Sequence, residues 1–444
     1  MIINTKHFES LYPADTRERE LSEIVTLIRE GNSCQIIGIP GVGRSSLLGL
    51  LSYNRDVRLK HFPTKHGFVH FVMVNFSEVR KRPLFDVMKL IFLNLTQSLR
   101  ERSMVEEYEV VDKLFKDALA YNDELVLTQG IKNAVDYLSL EKKFTLIFLF
   151  DRFDEYVPAL TSQFFTNLRS LRDRAKYRFS CIFSLTRPLE DTIEPLLFAD
   201  FSDFVTGHFV YLSLYDKPSV DFRFDYLEKI TGKHLANTVR GKIVDLTGGH
   251  IRLSKLAAES LLAQEVAPDN IEEFLLSQRT IQSALLTIWQ SLSPFDQQIL
   301  KTRSFFSKDT DDLQYLIKVG LIADGKIAIP LLEKYIQFSD YLLQDEKIIY
   351  DSLTNTIHKG ESVLSDYLTK SEFRLLRHLL QNPERVIERE EIVSVVWQDA
   401  KSTAGVSEQA IDQLIFRLRR KVEVDPNNPK HILTVKGRGI RFQA

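Results

Sequence analysis

The stretch Cys34–Leu51 constrains the fold more than any other: CQII, then GIPGVGRSS, then LLGLL. An apolar strand that breaks into a glycine-rich turn and resumes as a helix is the opening half of a strand–helix–strand unit. Such units build parallel sheets with helices on their faces. The turn also carries chemistry. Gly38, Gly41 and Gly43 leave room for backbone N–H groups to wrap an anion, and the following helix N-terminus adds a favourable dipole. Gly38-x-x-x-x-Gly43-Arg44-Ser45 has the spacing of a phosphate-binding P-loop, with Arg44 at the usual lysine position. Arginine keeps the positive charge but is longer and planar. Ser45 is the expected Mg²⁺ ligand, with Ser46 beside it. Taken alone, the motif also reads as an ordinary glycine turn.

Two further runs bear on that choice. KFTLIFLFDRFDE (Lys143–Glu155) predicts a buried strand ending in Asp151, the form of a Walker B segment. Asp151 would hold Mg²⁺ directly or through water, and Asp154 or Glu155 would orient an attacking water. FSCIFSLTR (Phe179–Arg187) predicts another apolar strand, ending in Thr186-Arg187. In an open α/β sheet, ligands bind at the carboxyl ends of the strands, where Arg44, Asp151 and Arg187 would converge. ATP or ADP with Mg²⁺ is the expected cofactor. Between the second and third strands, apolar residues recur at helical spacing in Pro83–Leu140 (Phe85, Met88, Ile91, Phe92, Leu95, then Val111, Leu114, Phe115, Ala118), which predicts helices packed on the sheet. The patch Arg80-Lys81-Arg82 reads as a solvated loop.

At 444 residues, with 44% hydrophobic and 27% charged residues, the chain has ordinary globular composition and room for two to four domains. Its longest apolar run, Phe144–Phe150, is far too short to span a bilayer. The N-terminal MIINTKHFES lacks the pattern of a secretory signal. Cys34 and Cys181 are isolated in or beside apolar runs, which suits small core residues of a reduced compartment. The expectation is a cytoplasmic protein with no membrane partner.

The last hundred residues carry a second signature. Two short β-type runs from Ile348 are broken by Asn355 and Gly360, and LTKSEFRLLRHLL (Leu368–Leu380) follows. Thr369 and Glu372 form a capping-box pair, and Leu375, Leu376, Leu379 and Leu380 make a core face. A second helix is expected over Glu388–Trp397 and a third over Ser407–Val422. In the third, Ala410, Ile411, Leu414, Ile415, Leu418 and Val422 face inward, while Gln409, Gln413, Phe416, Arg417, Arg419, Arg420 and Lys421 lie opposite. A basic, amide-bearing helix face suits the major groove, where Arg addresses guanine and Gln adenine. Gly437 and Gly439 flank Arg438 in a tight turn between strands, placing Lys436 and Arg438 against phosphates or a minor groove. Residues 405–444 hold eight basic and four acidic side chains while the whole chain carries net charge −2, so the basic character is a local patch. A solvated helix face on a protein-binding domain is the alternative.

Residues 346–444 closely resemble the OmpR/PhoB-type winged helix-turn-helix, which implies binding of double-stranded DNA. Ile440 stands where that family usually has an aromatic residue. Upstream, REREL (Arg17–Leu21), the P-loop, Asp151, Thr186-Arg187, TGGHIRL (Thr247–Leu253) and a winged-helix-like stretch at Ser291–Ile329 resemble, in that order, the STAND branch of AAA-like P-loop NTPases. Archaeal Orc-type initiators share a similar plan. The resemblance implies a multidomain α/β protein: a P-loop NTPase domain with a parallel sheet over 1–215, a helical lid over 216–275, a winged helix over 276–345 and the DNA-binding domain over 346–444. It further implies a nucleotide switch that forms a homo-oligomer in the ATP state. Arg44 and Arg152 directly after Asp151 depart from the pattern and point to slow hydrolysis at most; His250 also stands in place of a common proline. A nucleotide-switched transcriptional regulator is the leading expectation. An active DNA-remodelling ATPase of replication-initiator, mobile-element or phage-defence type, and a scaffold with a vestigial P-loop, are the alternatives.

Overall fold

The computed structural model describes residues 7–62, 68–193, 195–264, 269–303, 305, 311–344, 348–359, 362–398, 407–423 and 429–443. The chain divides into two compact units, 1–335 and 336–444, and the division falls inside the helix Pro330–Gln344.

The first unit is built on a five-stranded sheet: β1 (Cys34–Ile37), β2 (Phe68–Asn75), β3 (Phe144–Asp151), β4 (Phe179–Leu185) and β5 (Phe209–Tyr211). Every pairing is parallel, in the order β2-β3-β4-β1-β5. β1 and β4 are buried along their whole length, as expected of strands covered on both faces. Phenylalanines fill the space between sheet and helices: the Phe183 ring lies 5.3 Å from Phe150 and 5.0 Å from Phe153, both edge-on. The expected helices between β2 and β3 are Leu84–Glu101, Val105–Ala120 and Glu124–Asp136.

Register brings the strand ends level. Asn75 pairs with Asp151 and Ile37 with Leu185, so the P-loop, Asp151 and Thr186-Arg187 all emerge at one edge. After β5 come the helices Lys217–Thr231, Asn237–Thr247 and Ile251–Leu262, then Ile271–Ser277 and Arg279–Gln290. Pro294–Thr302, Asp311–Lys318 and the antiparallel hairpin Ile322–Ala323/Lys326–Ile327 follow.

After the end of the helix Pro330–Gln344, the second unit has three short antiparallel strands, Ile348–Asp351, Thr356–Lys359 and Ser362–Val363. Helices Lys370–Gln381, Arg389–Val396 and Glu408–Val422 follow, and strands Ile432–Val435 and Gly439–Phe442 close a sheet with Val386–Ile387. The Thr369–Glu372 capping box is present, with the Thr369 N–H donating to Glu372 at 2.8 Å. Leu375, Leu376, Leu379, Ile411, Leu414 and Leu418 meet in one core.

Candidate nucleotide site and nucleic-acid interface

The glycine turn has the backbone its sequence demands. Gly41 and Gly43 have φ of 85° and 106°, left-handed values that L side chains rarely adopt, and the helix Arg44–Tyr53 (the P-loop helix) starts at once. At Gly38 a Cβ would meet Val42 at 2.7 Å, so the loop is also tight. The loop is clasped from behind by the RExEL segment. Arg17 is almost fully buried and donates from Nη2 to the Val42 carbonyl at 2.6 Å and from Nη1 to the Ser213 carbonyl at 2.7 Å. Glu20 balances its charge at 3.2 Å.

Ser45 Oγ donates to Asp151 Oδ1 at 2.8 Å, and the Arg152 N–H donates to the same oxygen at 3.0 Å. Burial raises the Asp151 carboxyl above the ordinary range, offset in part by Ser45 and the charge of Arg152. A buried carboxylate beside a serine hydroxyl at the P-loop helix fits a hard divalent cation, which prefers oxygen ligands. The other acids are engaged. Asp154 accepts Arg44 Nη1 at 2.8 Å, the Thr186 N–H at 2.8 Å and the Thr186 hydroxyl at 3.0 Å. Glu155 turns away to Arg80, at 2.5 Å, with Arg152 at 3.9 Å.

Arg44, Ser45, Asp151 and Asp154 therefore meet as expected. The Arg187 guanidinium, expected to join them, is directed elsewhere. It pairs with the fully buried Asp296 at the start of helix Pro294–Thr302 and lies 4.0 Å over the Tyr315 ring. Tyr315 in turn donates its hydroxyl to the Thr186 carbonyl at 3.0 Å, and burial pushes that phenol far up. Gly38, Gly41, Gly43 and Ser46 occupy the loop and first helical turn.

Sequence reasoning noted His250 only as a departure from a pattern and missed the contacts that it and Arg252 make with the glycine turn. His250 caps the helix Ile251–Leu262 by accepting the Leu253 N–H on Nδ1 at 3.3 Å, so Nε2 carries the proton and donates to the Pro40 carbonyl at 3.0 Å. Burial holds the ring neutral, its pKa lowered to about 4. The Arg252 N–H donates to the Gly41 carbonyl at 3.2 Å, and a Cβ on Gly41 would meet Arg252 at 2.9 Å. The start of the helix Ile251–Leu262 thus sits directly on the glycine turn. Histidine after Gly248-Gly249 was the available signal, since it is a capping residue in a position where proline could not cap.

In the second unit, Gln409, Gln413, Phe416 and Arg417 form an exposed stripe on the helix Glu408–Val422, at helical spacing. Lys436 and Arg438 are exposed on the turn between the last two strands. Gly439 permits that turn: its φ is 136°, and a Cβ would meet the Ile387 carbonyl oxygen at 2.0 Å. Asp412 and Glu408 lie near the stripe but are matched by Arg389, at 2.7 and 3.5 Å.

Two residues expected on the outer face make internal ties instead. Arg419 donates from Nε and Nη2 to the Ile432 carbonyl at 2.9 and 2.6 Å, and from Nη2 to Thr434 Oγ1 at 2.8 Å. Lys421 pairs with the buried Glu372 at 2.6 Å. Each sits at the border of the apolar face, where a long side chain can reach a neighbouring element. The side chain of Arg420 and the whole of Val406 and Gly360 lie outside the described residues.

Residues 366–442 match the family model described as "Transcriptional regulatory protein, C terminal". The KdpE transcriptional regulatory protein of Mycobacterium tuberculosis is 35% identical over 106 residues, covering 23% of this chain and 45% of that protein. The VirG regulatory protein of Rhizobium rhizogenes is 44% identical over 79 residues, 17% of this chain and 31% of its own. The chain thus spans less than half the length of these curated relatives. Among solved structures, the Walker-type ATPase of Pyrococcus abyssi matches 79% of this chain and 97% of its own, at 16% identity and a TM-score of 0.41. The Klebsiella pneumoniae RstA DNA-binding domain, solved with its RstA box, matches 22% of this chain and 90% of its own, at 21% identity and a TM-score of 0.19. The second unit carries an OmpR/PhoB-type winged-helix domain, and the first has the parallel sheet and glycine loop of a P-loop ATPase fold. Among the described residues, no helix is long and apolar enough to cross a membrane.

Proposed function

We propose that this chain is a DNA-binding transcriptional regulator in which nucleotide held by the first unit sets the DNA affinity of the second. The observation that carries the DNA part is the outward stripe Gln409–Gln413–Arg417 with Lys436 and Arg438 on the adjoining turn. Its amides and guanidinium suit base edges in a major groove of double-stranded DNA, and the turn suits phosphates. The matching relatives are themselves named as regulatory proteins. Arg419, and Lys421 from an exposed position, tie the helix Glu408–Val422 to neighbouring elements of its own unit.

For the nucleotide part, the P-loop backbone and the helix N-terminus would take the phosphates of ATP or ADP. Ser45 and Asp151 would hold Mg²⁺, which supplies positive charge to the phosphate oxygens. Arg44 neutralises Asp154 in an ion pair, and Glu155 is spent on Arg80, so neither acid is left to orient water. That favours binding with slow hydrolysis over rapid turnover, as in a STAND-type switch. Arg187, tied to Asp296 and Tyr315, joins the end of β4 to the helices Pro294–Thr302 and Asp311–Lys318 and is the natural route for a change of state. Assembly of several chains in the ATP state and a cytoplasmic setting belong to the same proposal.

The test is DNA selection with the full chain in ATP, in ADP and without nucleotide. A preferred sequence bound with nucleotide-dependent affinity is expected. Nucleotide-independent binding would remove the switch and leave a constitutive regulator. Turnover of several ATP per second, stimulated by DNA, would favour the remodelling ATPase.

A further inference from the structure

The P-loop helix ends at Ser52 and Tyr53, and there a polar cavity of about 260 Å³ opens away from the glycine turn. Two arginines from separate elements reach into it. Arg58, on the helix Arg55–His61, donates from Nη1 to the Ser52 carbonyl at 2.5 Å. Arg102, just past the helix Leu84–Glu101, donates from Nη2 to the same carbonyl at 3.1 Å. Among the described residues neither has a carboxylate within 4.0 Å. Glu101, the one acid among the described residues of the lining, is exposed and beyond ion-pair reach of both, although its charge is felt at Arg102. Burial and then the charge of Arg58 bring Arg102 down to about 10.

Arg102 is held from behind by a chain of neutral groups. Its Nη1 meets His70 Nδ1 at 3.4 Å, His70 Nε2 meets Ser98 Oγ at 2.8 Å, and Ser98 gives its proton to the Leu95 carbonyl at 2.7 Å. With the serine proton committed, His70 must donate from Nε2 and accept at Nδ1, so it is neutral. Burial lowers its pKa well below the ordinary value in agreement. The scaffold fixes the guanidinium and supplies no negative charge.

Two guanidiniums aimed at one peptide oxygen form an arrangement that an oxyanion relieves, since buried charge is stable only when paired and hydrogen-bonded. Both guanidiniums are held at one carbonyl, so their remaining N–H groups lie close enough together to serve one multi-oxygen head and not two separated carboxylates. Asn94 and Gln97 face the same space with amides, and Tyr53, stacked on His7 with ring centroids 3.5 Å apart, offers an aromatic wall. We propose that this cavity binds the phosphate dianion of a small phosphate monoester, with Arg58 and Arg102 on its oxygens. The site lies at the opposite end of the P-loop helix from the glycine turn, so it is distinct from the nucleotide site.

The test uses the full chain with inorganic phosphate, glycerol 3-phosphate or succinate at millimolar levels, read by hydrogen exchange of individual peptides. Both phosphates should protect residues 50–60 and 94–104, glycerol 3-phosphate more strongly, and succinate should not. Arg102→Gln should weaken this protection about tenfold or more in apparent affinity, the scale of a lost charge-assisted contact. Gln97→Glu, an exposed change that adds negative charge at the rim without disturbing packing, should weaken it too. Protection confined to residues 38–47 would mean phosphate occupies only the P-loop and would overturn the proposal. So would protection of the cavity segments that both variants leave unchanged, absence of protection at tens of millimolar, or equal protection by succinate.

Discussion

Arg419→Ala and Arg417→Ala, two residues apart on one helix, should fail in different ways. Arg417 is exposed, whereas Arg419 spends two N–H groups on the Ile432 carbonyl and one on Thr434 Oγ1. Hydrogen bonds from a charged donor are each worth about 1.5–3 kcal/mol in a buried setting. Arg419 is partly exposed, and solvent screens that value, so about 1–2 kcal/mol for the whole set is reasonable. One to two kcal/mol is roughly a factor of 5–30 in an opening equilibrium. Hydrogen exchange of the peptides covering 408–422 and 432–442 measures that equilibrium in the intact chain. Arg419→Ala should speed exchange there by about that factor. Arg417→Ala should leave exchange as in the parent and weaken DNA binding. Its salt slope should fall by about 0.9 if the lost contact is a phosphate. If it is a base edge, affinity should fall by roughly 1–3 kcal/mol with relaxed preference at one position. Unchanged exchange in Arg419→Ala, together with a loss of DNA affinity equal to that of Arg417→Ala, would refute the assignment of Arg419 to the interior.

Three further expectations concern the first unit. ATP or ADP with Mg²⁺ should raise the parent's melting temperature, by about 2.7 kcal/mol of stabilisation at a hundredfold excess over the dissociation constant. Ser45→Ala and Asp151→Asn should abolish the rise, and a shift that survives both would move the site elsewhere. Arg44→Lys removes the guanidinium that pairs with Asp154 and restores a compact ammonium at the phosphates, so turnover should increase from a parent rate well below about 1 per second; a fast parent contradicts the switch. His250 has a folded pKa lowered to about 4 against the ordinary 6.5, so the unfolded chain binds more protons between those values. Its share of stability is complete above about pH 6.5 and declines as pH falls toward 4, by about 3 kcal/mol in all. His250→Asn, which can still cap and bond, should flatten that part of a stability–pH curve, and an unaltered slope would assign it to other groups.

What the sequence made legible was local. β1, β3 and β4 were readable because each is a predominantly apolar run with only isolated polar residues, the pattern of a sheet covered on both faces. The capping box at Thr369 and the glycine turns at Gly43 and Gly439 depend on residues three positions apart or on one backbone angle, so they survive translation from text to structure. What stayed hidden depends on reach. Nothing local tells Arg17 to cross to the Val42 carbonyl, or Arg187 to find Asp296 rather than the phosphate site. Helical periodicity correctly separates Leu414 and Leu418 from Gln413 and Arg417, but a border position such as 419 is decided by which neighbouring strand its side chain can touch. Ser293-Pro-Phe-Asp296 could have been read as a capping box; that its carboxylate also receives an arginine from the sheet could not.

That doubly used carboxylate has a consequence for how the chain can vary. Asp296 is fully buried, caps its own helix through Ser293, and has Arg187 as its counter-charge. Removing one member of a buried ion pair strands the other and typically costs about 3–5 kcal/mol, whereas replacing both with neutral groups of similar size is often nearly neutral. Arg187 and Asp296 are therefore bound together as a mutational unit. Lineages of this protein should change the two positions in concert, and a chain that keeps the buried Asp296 should keep Arg187.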